Sequence, residues 1–125
     1  MEQNSTLFEK FVKVFNKNDV IFQEGSEGHE MFVIMNGSVK LLKESKAGNK
    51  LLTKLKKGEF FGEMAIIDNL QRSASAVAGV NNTKLIVLDR QKFTYLVQQI
   101  PHFSFTIMER LAQRLREANQ QRVGQ

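Results

Sequence analysis

The sequence predicts a mainly β domain followed by two helices, and two observations carry that expectation. From Phe11 to about Leu88 the chain is a series of short runs rich in Val, Ile, Leu and Phe, broken by turn residues at near-regular intervals. This is the signature of an antiparallel sandwich or barrel. From Asp89 onward the apolar period becomes that of a helix, and the only proline, Pro101, marks a joint.

Strands are expected at 11–15, 20–23, 31–36, 38–44, 50–55, 73–80 and 84–88. The dipeptides Asn36-Gly37 and Gly48-Asn49 suit hairpins because they tolerate positive φ, residues 24–28 form a loop, and Asn81-Asn82 serves another tight reversal. Asp89 is the expected N-cap of a helix over 90–99, and Pro101 opens a second running to about 122. In this last helix Met108, Leu111, Leu115 and Ala118 follow a three-four spacing, while Phe103, Ile107 and Ala112 widen the apolar surface. One flank can cover the β domain and another can meet a partner, so a homodimer through this helix is an expectation.

At 125 residues and 42% apolar content the chain can form one ordinary domain. The expected organisation is an N-terminal segment at 1–10 and a single domain at 11–125, with its β part at 11–88 and its helices at 90–122. Cysteine is absent, which excludes disulfides, thiolate zinc sites and a cysteine nucleophile. The start, Met1-Glu2-Gln3-Asn4-Ser5-Thr6, lacks a basic-then-apolar export signal, and no apolar run approaches bilayer-spanning length. A cytoplasmic protein without membrane association is expected. The net charge of +5 would suit nucleic acid, acidic lipid or an anionic ligand, but the lysines at 40, 43, 46, 50, 54, 56 and 57 are spaced as strands leave a solvated face.

The most informative stretch is Phe61-Gly62-Glu63-Met64-Ala65, followed nine residues after the glutamate by Arg72-Ser73-Ala74. Gly62 lets a backbone approach a ligand where a Cβ would obstruct it, and residues 63–68 suit a single helical turn with its amides facing an anion. The planar fork of Arg72 can hold two phosphate oxygens. A carboxylate beside a phosphate repels it, so Glu63 must turn toward hydroxyl donors such as those of ribose while pairing in part with Arg72. Ser73 adds a hydroxyl and Ala74 a backbone N–H. Together these functions describe a receptor for a sugar phosphate.

At these residues the sequence resembles the cyclic nucleotide-binding domain family, in which a Phe-Gly-Glu cassette, a variable loop and Arg-Ser/Thr/Ala-Ala hold the nucleotide. The resemblance runs from about Phe11 to Val123 and includes Asp19-Val20-Ile21-Phe22, Glu24-Gly25, Phe32-Val33-Ile34, Gly37-Ser38-Val39, Gly58-Glu59-Phe60-Phe61-Gly62-Glu63 and Leu88-Asp89-Arg90. It implies a double-stranded β-helix, a jelly-roll-like sandwich with a short phosphate-cassette helix and two C-terminal helices. It also implies a noncatalytic sensor for cyclic AMP or cyclic GMP that signals through its C-terminal helix and uses no cofactor. By the resemblance Glu63 binds the ribose 2′-hydroxyl and Arg72 the exocyclic phosphate oxygens. The backbone of Gly62 and Ala74 holds the rest of the cyclic phosphate-ribose, and Ser73 donates its hydroxyl to the phosphate. Leu41, Leu52 and Met64 are candidates for the apolar wall against the base, each equally explained as core. In the catabolite-activator branch a polar pair on the final helix touches adenine; Ala118-Asn119 fall there, and Asn119 is the candidate while Ala118 departs from the pattern.

Asn18 stands where the family has glycine, a change a left-handed turn tolerates. The catabolite-activator regulators continue into a helix-turn-helix domain where this sequence ends at Gln125, so DNA binding is not expected of these residues and the effector is left unnamed. Two other readings stand beside the sensor. One is a degenerate domain of the same fold that serves only as a protein-interaction module. The other is a metal-dependent jelly-roll enzyme, disfavoured because the only histidines, His29 and His102, lie in a loop and at a helix start.

Overall fold

The computed structural model describes residues 9–67 and 71–123. Their strands are β1 (Val12–Phe15), β2 (Val20–Phe22), β3 (Glu30–Asn36), β4 (Ser38–Lys43), β5 (Lys50–Lys56), β6 (Phe60–Phe61), β7 (Ser75–Ala78) and β8 (Thr83–Asp89). The helices are α1 (Met64–Ile67), α2 (Arg90–Gln99) and α3 (Pro101–Val123). Two antiparallel four-stranded sheets, ordered β1-β8-β3-β6 and β2-β7-β4-β5, make the expected β-sandwich.

The side chains that close the sandwich come from alternate positions of both sheets, as a two-residue strand period requires. Phe32, Ile34, Phe61, Leu85 and Val87 from one sheet meet Val39, Leu55 and Ala76 from the other, with Phe15, Ile21, Phe22 and Leu41 packed against them. Each such burial is worth about 1.5–3 kcal/mol for a large aliphatic or aromatic side chain. At one end the rings of Phe22, Phe32 and Phe61 form a cluster, the last two stacked at 5.1 Å between centroids.

Local chemistry sets the reversals. Among the described residues Asn18 and Asn82 are the non-glycine residues with positive φ, 73° and 58°. Both conformations suit asparagine, whose short polar side chain tolerates the left-handed region. Asn18 N–H donates to Ala78 O, which ties this turn to the end of β7.

The structure corrects the expected strand boundaries in two places that matter. Residues 60–61 form a strand, β6, paired with Phe32 and Val33 of β3; two residues are too few to show a period in sequence. The strand expected over 73–80 is reduced to Ser75–Ala78, because Ser73 and Ala74 lie in a bend ahead of it. The single helical turn is Met64–Ile67, whereas Asp68 lies outside the described residues.

The β4–β5 hairpin is the opposite of the core in character. Residues 40–57 hold seven lysines and one glutamate, a net +6, so the remaining residues together are slightly acidic within a chain of +5. The register sets Lys40 against Lys54 and Lys43 against Lys50, and β5 is an edge strand in which Leu55 is the buried residue. Lysines on an edge resist pairing with another chain.

The described residues fall into two compact units, one ending at Arg90 and the other beginning at Gln91. In the helical unit α2 and α3 are joined through Ile100, whose N–H donates to Leu96 O while its own carbonyl accepts from Phe103 N–H. Phe93 and Phe103 pack with centroids 5.9 Å apart. Ile107 is buried, whereas Phe105, Met108 and Leu115 are more than half exposed.

Candidate ligand-binding site

Gly62 follows β6 at φ +78°, a conformation that a Cβ would strain, and α1 starts two residues later. The sequence therefore turns the main chain back on itself at the point expected for a close ligand approach. A Cβ there would also lie 2.9 Å from Arg72 Nη1 and 3.2 Å from Glu30 O.

Arg72 fills the space this turn leaves. It is only 7% exposed. Its Nη1 donates to Gly62 O at 3.1 Å and its Nη2 to Glu30 O at 2.7 Å, so one planar group joins the cassette turn to the start of β3. The guanidinium carbon lies 4.2 Å from the centroid of the Phe22 ring and 5.8 Å from that of Phe32, distances at which a cation is attracted to a π face. The main chain is held as well: Arg72 N–H donates to Ser26 O and Arg72 O accepts from Gly25 N–H.

Burial pushes the Arg72 guanidinium below its ordinary value, and the carboxylates of Glu30 and Glu63 act in the opposite sense. An arginine keeps its proton under such a shift. Its Nε is buried and without a hydrogen-bond partner among the described residues. A buried donor in this state is costly.

The expected site residues fall as follows. Gly62 and Arg72 are brought into direct contact, and half-buried Glu63 lies close enough for its charge to act on Arg72. Met64 opens α1 and is 52% exposed; Leu52 on β5 is 51% exposed, whereas Leu41 packs against the core. Ser73 is exposed and Ala74 buried in the bend before β7. Asn119 is an exposed residue of α3 in the helical unit.

Sequence reasoning missed the seat that receives Arg72. A Cβ on Gly28 would overlap Arg72 Nε and Nη2, so the second glycine of the 24–28 loop makes room for the guanidinium. Phe22 and Phe32 were legible only as core, and the carbonyls of Glu30 and Gly62 carry no residue-type signal. The Gly-x-x-Gly spacing of Gly25 and Gly28 was the one clue available. Among the described residues no group of three or more His, Asp or Glu is placed to hold a metal ion.

Fold and site together define a β-roll domain that sets a buried guanidinium beside an open backbone turn. The chain belongs to the cyclic nucleotide-binding domain family, whose profile matches residues 12–100, a family of regulatory sensor domains. The Cyclic AMP receptor protein of Thermus thermophilus is 35% identical over 108 residues, covering 86% of this chain and 50% of that protein. Human cGMP-dependent protein kinase 2 is 36% identical over 88 residues, 69% of this chain and 12% of the kinase. The solved Thermus thermophilus Catabolite Activator Protein matches with a TM-score of 0.80 at 33% identity, over 96% of this chain and 57% of that one. The chain thus spans half or less of the length of these two curated relatives.

Proposed function

We propose that this chain is a noncatalytic sensor that binds cyclic AMP, with cyclic GMP as the second choice, and signals through its C-terminal helix. The observation that carries the reading is the buried Arg72 guanidinium, held against the Gly62 turn, with its Nε–H unsatisfied among the described residues. In this reading Arg72 and Ser73 receive the phosphate, and the Gly62 and Ala74 backbone lines the cyclic phosphate-ribose. Glu63 takes the ribose 2′-hydroxyl, Met64 and Leu52 face the base, and Asn119 reads the purine. The relatives support both nucleotides: one is named for cyclic AMP and the other for cyclic GMP. Output would run through α3, whose exposed Phe105, Met108 and Leu115 recur at spacings of three and seven and suit a second copy of the helix. The effector is left unnamed.

Calorimetry with each nucleotide, on wild type, Arg72→Ala and Glu63→Ala, tests the assignment, with light scattering for the oligomeric state. A charged hydrogen bond to phosphate is worth about 1.5–3 kcal/mol, so loss of Arg72 should weaken binding at least about tenfold. Unchanged affinity in both variants would remove the cassette assignment.

One observation favours a second reading, a protein-interaction module that binds no nucleotide. Both terminal nitrogens of Arg72 already donate to protein carbonyls. A thermal shift with excess nucleotide decides between the two, because a ligand selective for the folded state raises its stability.

A further inference from the structure

We infer that Lys43, held by Glu24, is a positioning residue that sets the direction of the Ala74 amide in the ligand site; the inference rests on the nucleotide-binding reading above. The argument begins with the peptide between Ser73 and Ala74. The register of β7 with β4 begins at Ser75, opposite Leu42, so this peptide lies outside the ladder. On its other side Arg72 is bonded through its main chain to Gly25 and Ser26. The peptide between these two anchored points needs a restraint of its own.

Lys43 supplies one. Its Nζ donates to Ser73 O at 3.1 Å and lies 3.2 Å from Glu24 Oε2. Glu24 is itself fixed: Oε1 accepts from Glu44 N–H at 2.9 Å, and its own N–H donates to Ser75 Oγ at 2.9 Å. The ammonium is therefore aimed by a carboxylate that is bonded to the residue after β4, on a residue whose main chain is tied to β7. A lysine with a free choice of rotamer would not be.

Peptide planarity carries this restraint to the ligand side. The Ser73–Ala74 peptide is trans, as are the others among the described residues, so Ser73 C=O and Ala74 N–H point in opposite directions from one rigid plane. Holding the carbonyl toward Lys43 directs the amide away from it. If the peptide flipped, a carbonyl oxygen would stand where the nucleotide phosphate requires a donor, and it would repel the anion. Lys43 thus acts on the ligand through the main chain.

The test combines nuclear magnetic resonance of the Ala74 amide in nucleotide-free protein with calorimetry on the same variants. In Lys43→Met the Ala74 amide should shift and exchange faster. Affinity for the nucleotide that wild type binds should fall about three- to tenfold, the worth of one misdirected hydrogen bond. Lys43→Arg should restore both, and Glu24→Gln should fall between. Lys43 is half exposed, so these proteins should stay folded, and a melting temperature close to wild type separates positioning from general damage. An Ala74 amide unchanged in Lys43→Met overturns the inference whether or not nucleotide binds. A perturbed amide with undiminished affinity overturns it too. Wild type that binds neither nucleotide instead overturns the reading on which it rests, and the role in ligand binding falls with it.

Discussion

Within the β unit the seat of Arg72 and the β4–β5 hairpin hold positive charge in opposite ways. Arg72 is buried, donates to two carbonyls and lies against two phenyl rings. Four of the hairpin lysines sit in register as two pairs, Lys40 with Lys54 and Lys43 with Lys50, and all but Lys40 are exposed. Residues 40–57, the hairpin with the lysine that follows it, alone account for more than the net charge of the chain, whereas Arg72 is the only arginine before Arg90. The difference teaches that a formal charge count locates solvated surface, and that recognition has to be sought where a cation has been given a fixed seat. Fixing it takes a planar group, partners at defined distances and space made for it.

The sharpest way to break the contrast is to spoil the seat and leave the arginine. Gly28 has no left-handed φ, so alanine is acceptable to its backbone, yet the added Cβ would overlap the guanidinium. Gly28→Ala should destabilise the domain by about 1–3 kcal/mol in urea titration and weaken nucleotide binding with it. Wild-type values for both would show that Arg72 does not depend on this room.

On the hairpin the expected effect is smaller and of the other sign. Lys40 and Lys54 are directly opposed, and like charges across a strand pair are destabilising. Lys40→Glu should therefore stabilise by about 0.2–1 kcal/mol in low salt, and the gain should fade as salt is added. A loss of stability would mean that Lys40 has a structural task beyond solvation.

The smallest effect concerns Glu24, between the two regions. Its bond from Glu44 N–H, and then Lys43, holds its carboxyl below the ordinary value of 4.5. A depressed carboxyl contributes stability above that ordinary value and loses it as pH falls through the lowered one. Glu24→Gln should flatten this part of the acid limb in thermal melts while changing little at neutral pH. An acid limb identical to wild type would dismiss the Glu24 contribution.

Much of this contrast was legible in the residues. Gly62 and Arg72 were paired by their spacing, and they touch. Asn18 was expected to tolerate a left-handed turn and adopts one, as does Asn82. The rest was hidden for physical reasons. Main-chain carbonyls, such as those of Glu30 and Ser73, receive the key cations, and a carbonyl is the same atom pair in every residue. Gly28 matters through a volume it leaves empty, which composition cannot report. Ser73 and Ala74 read as strand because small residues fit one, but the loop at 25–26 bonds the chain just ahead of them and bends it.

The bond from Arg72 to Glu30 joins residues 42 positions apart, and that to Gly62 spans ten. Contacts of the longer kind form against a loop-closure cost and contribute slowly to folding. As the chain leaves the ribosome, every strand up to β6 has been made before the arginine exists to be seated. Binding competence therefore arrives with the whole roll and with no single hairpin of it, and a chain interrupted before residue 72 would have the turn without the charge.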